Sequence, residues 1–200
     1  DTWLDLVEAF FRRIDLSDAV MMGDAAVEML QPTRLLAERH PEAEPSSPNW
    51  WLDPATRGCQ ALRRRLSARR TFRGRRLASQ ALLFVRPRVW SPMESRSRMV
   101  VVQRALPEPE LNAGVTWPDT GELIGYGDLV WGRRKKVRTR VVGEYQGRDV
   151  HTEDESSRAR DNERCRLMRD AGWEVIELFS KDVLTERGRT ELAQRLRALL

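Results

Sequence analysis

The chain has 200 residues, a formal net charge of +5 and only two cysteines. No apolar run approaches the ~20 residues of a membrane helix, and the apolar share is that of a globular chain, so neither a membrane span nor a disordered polymer is expected. Cys59 and Cys165 lie far apart in sequence, which argues against a disulfide scaffold or a four-cysteine zinc site and makes a reducing cytoplasm the default.

The chain begins at Asp1 rather than Met, as a piece of a longer protein does. Residues 2–14 place Trp3, Leu6, Val7, Phe10, Phe11 and Ile14 at helical spacing. A second amphipathic helix is expected over 17–29 with Ser17 as its N-cap, and Pro32-Thr33 opens a third, short one. Residues 40–54 are rich in proline and serine and read as a linker, with Trp50 and Trp51 pinning it. An arginine-rich helix follows over 56–69, then a helical or extended segment over 74–86. Charge is uneven: residues 1–56 hold eleven acids and four bases, whereas 54–93 hold eleven arginines and no acid. A positive field of that density favours a polyanionic partner; the competing explanation is a solvated surface written by an arginine-favouring codon usage. Residues 1–90 are therefore read as a helical region.

From Ser91 the pattern changes. Ser91-Pro92-Met93-Glu94 is a helix start, with Ser91 as cap, Pro92 in the first turn and Glu94 three residues after the cap. That helix should run to about Ala105. Residues 110–117 and 122–131 read as the strands of a hairpin around the turn 118–121. A basic stretch with Arg133, Arg134 and Lys135 leads into a third strand over 137–146. A helix over 158–171 ends at Gly172, a short buried strand occupies 173–179, and one or two helices close the chain from 181 to 200. The order predicts an α/β (α+β) domain over 91–200, a mixed sheet flanked by helices.

The third strand carries Glu144 and Gln146 on one face, because side chains alternate. A carboxylate in a strand otherwise suited to burial is costly unless something uses it. Asp128 sits near the end of the preceding strand, and if the two strands pair the carboxylates converge. Their repulsion is relieved by a divalent cation, and oxygen donors of this kind suit magnesium or manganese.

At this point the chain resembles the PD-(D/E)XK nuclease superfamily, and within it the very-short-patch-repair-like endonuclease domain of bacterial proteins of unknown function. The resemblance rests on an ordered set of stretches: 91–95 (SPMES), 106–109 (LPEP), 127–129 (GDL), 142–147 (VGEYQG), Arg160-Asp161 with Arg164, and 171–175 (AGWEV). Some such proteins carry an antitoxin-type winged helix before the domain, and residues 1–90 resemble the segment that precedes it. The resemblance implies a restriction-endonuclease-like core and a metal-dependent, cytoplasmic DNA endonuclease. Asp128 and Glu144 would be ligands of Mg (or Mn), and Glu94 the acid that completes the site. Gln146 stands where the superfamily has a lysine and relatives have aspartate; an amide orients water but is no base. His151 would act as acid or base or contact phosphate. Arg148, Arg160 and Arg164 would hold phosphates, as would Arg133, Arg134, Lys135 and, in the belt, Arg63, Arg64, Arg69, Arg70, Arg73, Arg75 and Arg76.

Each assignment has a plainer counterpart. Glu94 closes a capping box, Asp128 ends a strand, Asp161 pairs with Arg164 one helical turn away, and His151 sits in a surface loop. The neutral Gln146 and the arginine belt together also suit a second function, a nuclease fold that binds DNA as a regulator without cutting it. An interaction domain for acidic proteins or RNA is a third. Sequence leaves the oligomeric state and the DNA target open.

Overall fold

A computed structural model describes residues 2–34, 57–132, 139–147 and 155–200, with only the backbone for 155–158. The chain is α+β, with a helical N-terminal region and a four-stranded mixed sheet flanked by helices. It divides into two compact units, residues 1–96 and 97–200. None of the described helices is long and apolar enough to cross a membrane.

The first unit holds α1 (Thr2–Phe10), α2 (Leu16–Leu30), α3 (Arg57–Ala68), α4 (Arg75–Ala81) and the start of α5 (Pro92–Gln103). Trp3, Leu4 and Val7 of α1 bury with Val20 and Val27 of α2, Leu62 of α3 and Ala78 of α4, and the Trp3 indole N–H donates to the Ala19 carbonyl at 3.1 Å. Helix α1 stops at Phe10, short of the expected Ile14, in a turn closed by Arg13 N–H on the Phe10 carbonyl. The cap of α2 is Asp15, not Ser17. Asp15 accepts from Asp18 N–H at 2.8 Å and Asp18 accepts from Asp15 N–H at 3.1 Å. That reciprocal box satisfies two orphan amides, which a lone serine two residues later cannot do. Residues 40–54, read as a linker, lie outside the described residues, as does most of the short helix expected after Pro32.

In the second unit β1 (Glu110–Thr116) and β2 (Leu123–Trp131) form an antiparallel hairpin, β3 (Val141–Tyr145) pairs antiparallel with β2, and β4 (Glu174–Leu178) lies parallel to β3. The parallel step is made through α6 (Glu155–Asp170); α7 (Ser180–Leu184) and α8 (Glu186–Leu199) close the chain. Gly121, at φ +74°, makes the hairpin turn, and its N–H returns to the Trp117 carbonyl at 2.8 Å. Ala113, Val115, Val130, Val142, Met168, Ala171 and Trp173 form the core of this unit, so residues of α6 pack on one sheet face. The Trp173 indole N–H donates to the Thr116 carbonyl at 3.1 Å, fixing β4's start against the end of β1. The third strand is shorter than expected, Val141 to Tyr145. Helix α5 ends at Gln103, two residues early, followed by Ala105 at φ +54° ahead of Pro107.

Candidate active site

The β2–β3 ladder pairs Val130 with Val142 and Leu129 with Gly143, and its next step sets Asp128 level with Glu144. There the ladder changes character. The Asp128 carboxylate accepts the Tyr145 backbone N–H at 2.8 Å, taking a place a strand carbonyl would otherwise fill. On the other side of β2, Asn112 falls between the pairs Leu111–Leu129 and Ala113–Gly127 at φ +43°, a left-handed conformation that asparagine tolerates. The sheet is thus irregular on both flanks of this aspartate.

Glu144 is buried, and Arg164 of α6 reaches it. Both guanidinium ends are engaged: Nη1 donates to Glu144 Oε1 and Nη2 to Oε2, each at 3.0 Å, the fork-on-fork geometry that planar guanidinium and carboxylate favour. Nη1 also donates to the Tyr126 carbonyl at 2.6 Å, and Nη2 reaches the exposed Asp161 at 3.4 Å. Glycines make room for this. A Cβ on Gly125 would lie 2.8 Å from Arg164 Cδ, and one on Gly127 would lie 2.5 Å from Val142 Cγ1 and 3.4 Å from Glu144 Oε1. The arginine stem and the carboxylate therefore lie directly over bare β2 backbone.

Burial raises the carboxyl of Glu144, the nearby charge of Asp128 raises it further, and the Arg164 hydrogen bond only partly offsets them, leaving it at about 7. Burial likewise pushes Asp128 above the ordinary carboxylate range, against the lowering pull of the Tyr145 N–H and the Arg164 charge. Burial works against the charge of Arg164, yet its bonds to Glu144 hold it more firmly protonated than a free arginine. Cys165, next to Arg164, is buried and its thiol is raised by that burial and by Glu144, which keeps it unreactive.

Three acids, Asp128, Glu144 and Asp161, thus face one arginine, and the half-buried Asp128 and the buried Glu144 remain destabilised in their charged form even with it present. A further cation would relieve them. Among the described residues no group of three His, Cys, Asp or Glu side chains is placed to hold a metal ion. Magnesium does not need one: it keeps several waters and is held through one or two carboxylates plus substrate phosphates. The donor chemistry of Asp128 and Glu144 fits such an ion, with Arg164 as competitor for one of the two ligands.

The other candidates have surroundings of their own. Gln146 donates its backbone N–H to the Leu178 carbonyl at 2.8 Å and lines a cleft of about 230 Å³ with Phe179, Ser180 and Lys181. Glu94 belongs to the first unit, where its buried carboxylate accepts the Trp90 N–H at 2.9 Å while its own N–H donates to Ser91 Oγ at 3.2 Å; it works at the start of α5. In the belt, Arg63, Arg64, Arg70, Arg73 and Arg76 are exposed. Arg69 instead pairs with Asp5 at 2.5 Å and with Glu8. Arg75 donates to the carbonyls of Leu66 and Arg69 at 2.8 and 2.6 Å, closing the C-terminal end of α3. Arg160 is exposed on α6. Arg133, Arg134, Lys135, Arg148 and His151 lie outside the described residues. Sequence reasoning gave Arg164 a phosphate to hold, and the fold gives it Glu144. The alternating glycines of Gly125-Tyr126-Gly127 were the available sign that something approaches β2 closely.

The second unit is thus a mixed-sheet α+β body with a carboxylate pair, the buried Glu144 and the half-buried Asp128, beside Arg164 at the β2–β3 junction. The chain is similar to two uncharacterized proteins of Mycobacterium tuberculosis, one each from strains CDC 1551 and H37Rv, at 31% identity over 152 residues, covering 72% of this chain and 51% of each relative. It spans about half the length of the curated relatives it matches. No family model and no solved structure matches.

Proposed function

We propose that residues 91–200 form a metal-dependent DNA endonuclease domain of the PD-(D/E)XK kind. The observation that carries this reading is the meeting of the half-buried Asp128 and the buried Glu144 at the parting of β2 and β3, under-neutralised by Arg164. These two carboxylates would hold Mg or Mn. The chemistry such an ion supplies is polarisation of the phosphodiester and acidification of the attacking water. Asp128 is held in place by the Tyr145 N–H, and Glu144 by its bed over Gly127. The neutral Gln146 can orient water without taking its proton. The exposed arginines Arg63, Arg64, Arg70, Arg73 and Arg76 supply sequence-independent attraction to the phosphate backbone. Hydrolysis would leave 5′-phosphate and 3′-hydroxyl ends, and a DNA substrate goes with a cytoplasmic location.

The test is nicking of supercoiled plasmid with Mg or Mn. Wild type should nick and Glu144→Ala should not. Equal nicking by the variant, or none by wild type, sinks the reading.

One observation favours a second reading. The Arg164 fork occupies both Glu144 oxygens, and the following Gln146 carries no charge. A nuclease fold closed in this way could serve as a DNA-binding regulator, antitoxin- or repressor-like. It would bind duplex DNA with steep salt dependence, unaffected by chelators.

A further inference from the structure

Resting on the endonuclease reading, we propose that Arg164 is a resident countercation with two positions: it holds Glu144 while no divalent ion is bound, and moves toward Asp161 when one loads. The geometry supplies both positions. At Glu144 the guanidinium makes two 3.0 Å bonds that engage both carboxylate oxygens. Asp161, one helical turn earlier on α6, is already 3.4 Å from Nη2 and is 62% exposed. The stem lies over Gly125, which offers no side chain against it, and Nη2 already reaches Asp161, so the proposed shift is a rotation of the side chain that gives up the Glu144 and Tyr126 bonds of Nη1. The ion and the guanidinium are like charges seeking the same carboxylate, and at van der Waals separation in a buried site their repulsion is large. The acid that would bind the ion is therefore guarded by an arginine that must yield. Without such a countercation, the buried Glu144 and the half-buried Asp128 would repel each other across the strand junction they share.

The test uses the whole chain and Mn²⁺ as probe, its free concentration read by electron paramagnetic resonance. Arg164→Gln should bind Mn²⁺ at least about tenfold more tightly than wild type, and Arg164→Lys, which keeps the charge but loses the fork, should fall between. In chelator, Arg164→Gln should melt below wild type, and Mn²⁺ should raise its melting temperature more than that of wild type. If Arg164→Gln binds Mn²⁺ equally or more weakly while Glu144→Gln abolishes binding, the guard is overturned and the metal site stands. If no protein binds Mn²⁺ in a Glu144-dependent manner, the metal reading falls and the guard with it. Should Arg164→Gln fail to fold, Arg164→Lys decides by the same sign: equal or weaker affinity overturns the proposal.

Discussion

At the scale of single residues, the β2–β3 junction is a site of stored electrostatic cost. The folded value of Glu144, about 7, lies above its ordinary 4.5, so between those values the folded state binds more protons than the unfolded one. Stability must then fall as pH rises through that window and level off above it, and the raised Asp128 acts in the same direction. In chelator, chemical denaturation from pH 5 to pH 8 should show wild type losing on the order of 3 kcal/mol relative to Glu144→Gln, which cannot titrate. A difference that stays flat across the range would count against the burial argument. Asp128→Asn offers a finer check. It keeps an oxygen for the Tyr145 N–H but removes the charge, so the Glu144 titration followed by nuclear magnetic resonance should move below 7. It should stay above the ordinary value, because burial is the first cause of the shift. Asp128→Ala also leaves the Tyr145 amide without its acceptor and should cost about 1–3 kcal/mol more than the asparagine variant.

At the scale of elements, close approach explains why β2 reads Gly-Tyr-Gly-Asp. Gly127→Ala would push a methyl to 2.5 Å from Val142 Cγ1 and 3.0 Å from Val130 Cγ2, two stiff β-branched core side chains. A loss of about 1–3 kcal/mol is expected from this overpacking. Gly125→Ala meets the more flexible Arg164 stem, so it should destabilise less while loosening the Arg164–Glu144 fork. Denaturant midpoints for the pair check the order, and a reversal would mean the β2 backbone yields more easily than its neighbours. Most element positions were legible in the sequence. The turn at 118–121 between two strand-like runs, the glycine after α6 and the Ser-Pro start of α5 are local signals with local causes, and observed bounds lie within a few residues of those expected. The N-cap of α2 was misplaced for an equally local reason: Ser17 and Asp15 are caps of similar strength, but Asp15 and Asp18 answer each other across the first turn.

At the scale of the whole molecule, the arginine belt is two populations. Arg69 and Arg75 are structural, tied to Asp5 and Glu8 and to the end of α3. Arg63, Arg64, Arg70, Arg73 and Arg76 are exposed. Replacing Arg63, Arg64 and Arg70 by Gln should weaken duplex binding and flatten its log–log salt dependence by about 0.9 for each phosphate no longer neutralised. Arg69→Gln should leave that slope unchanged and lower stability by no more than about 1 kcal/mol, as a surface pair does. Mobility shifts across a salt series separate the two groups, and a slope equally sensitive to Arg69 would erase the distinction.

By itself the sequence determined the elements, their order and the pair of acids on neighbouring strands, because helical periodicity, strand alternation and turn chemistry act over a few residues. It also placed the cationic belt, since composition needs no fold to be read. What only the tertiary structure decided is which charge meets which. Arg164 lies 20 residues from Glu144 along the chain and 38 from Tyr126, and no local pattern says that an arginine on α6 will cross a glycine of β2 to fork onto a carboxylate of β3. Electrostatic partnership depends on distance and burial, and both are set by how the helix packs on the sheet.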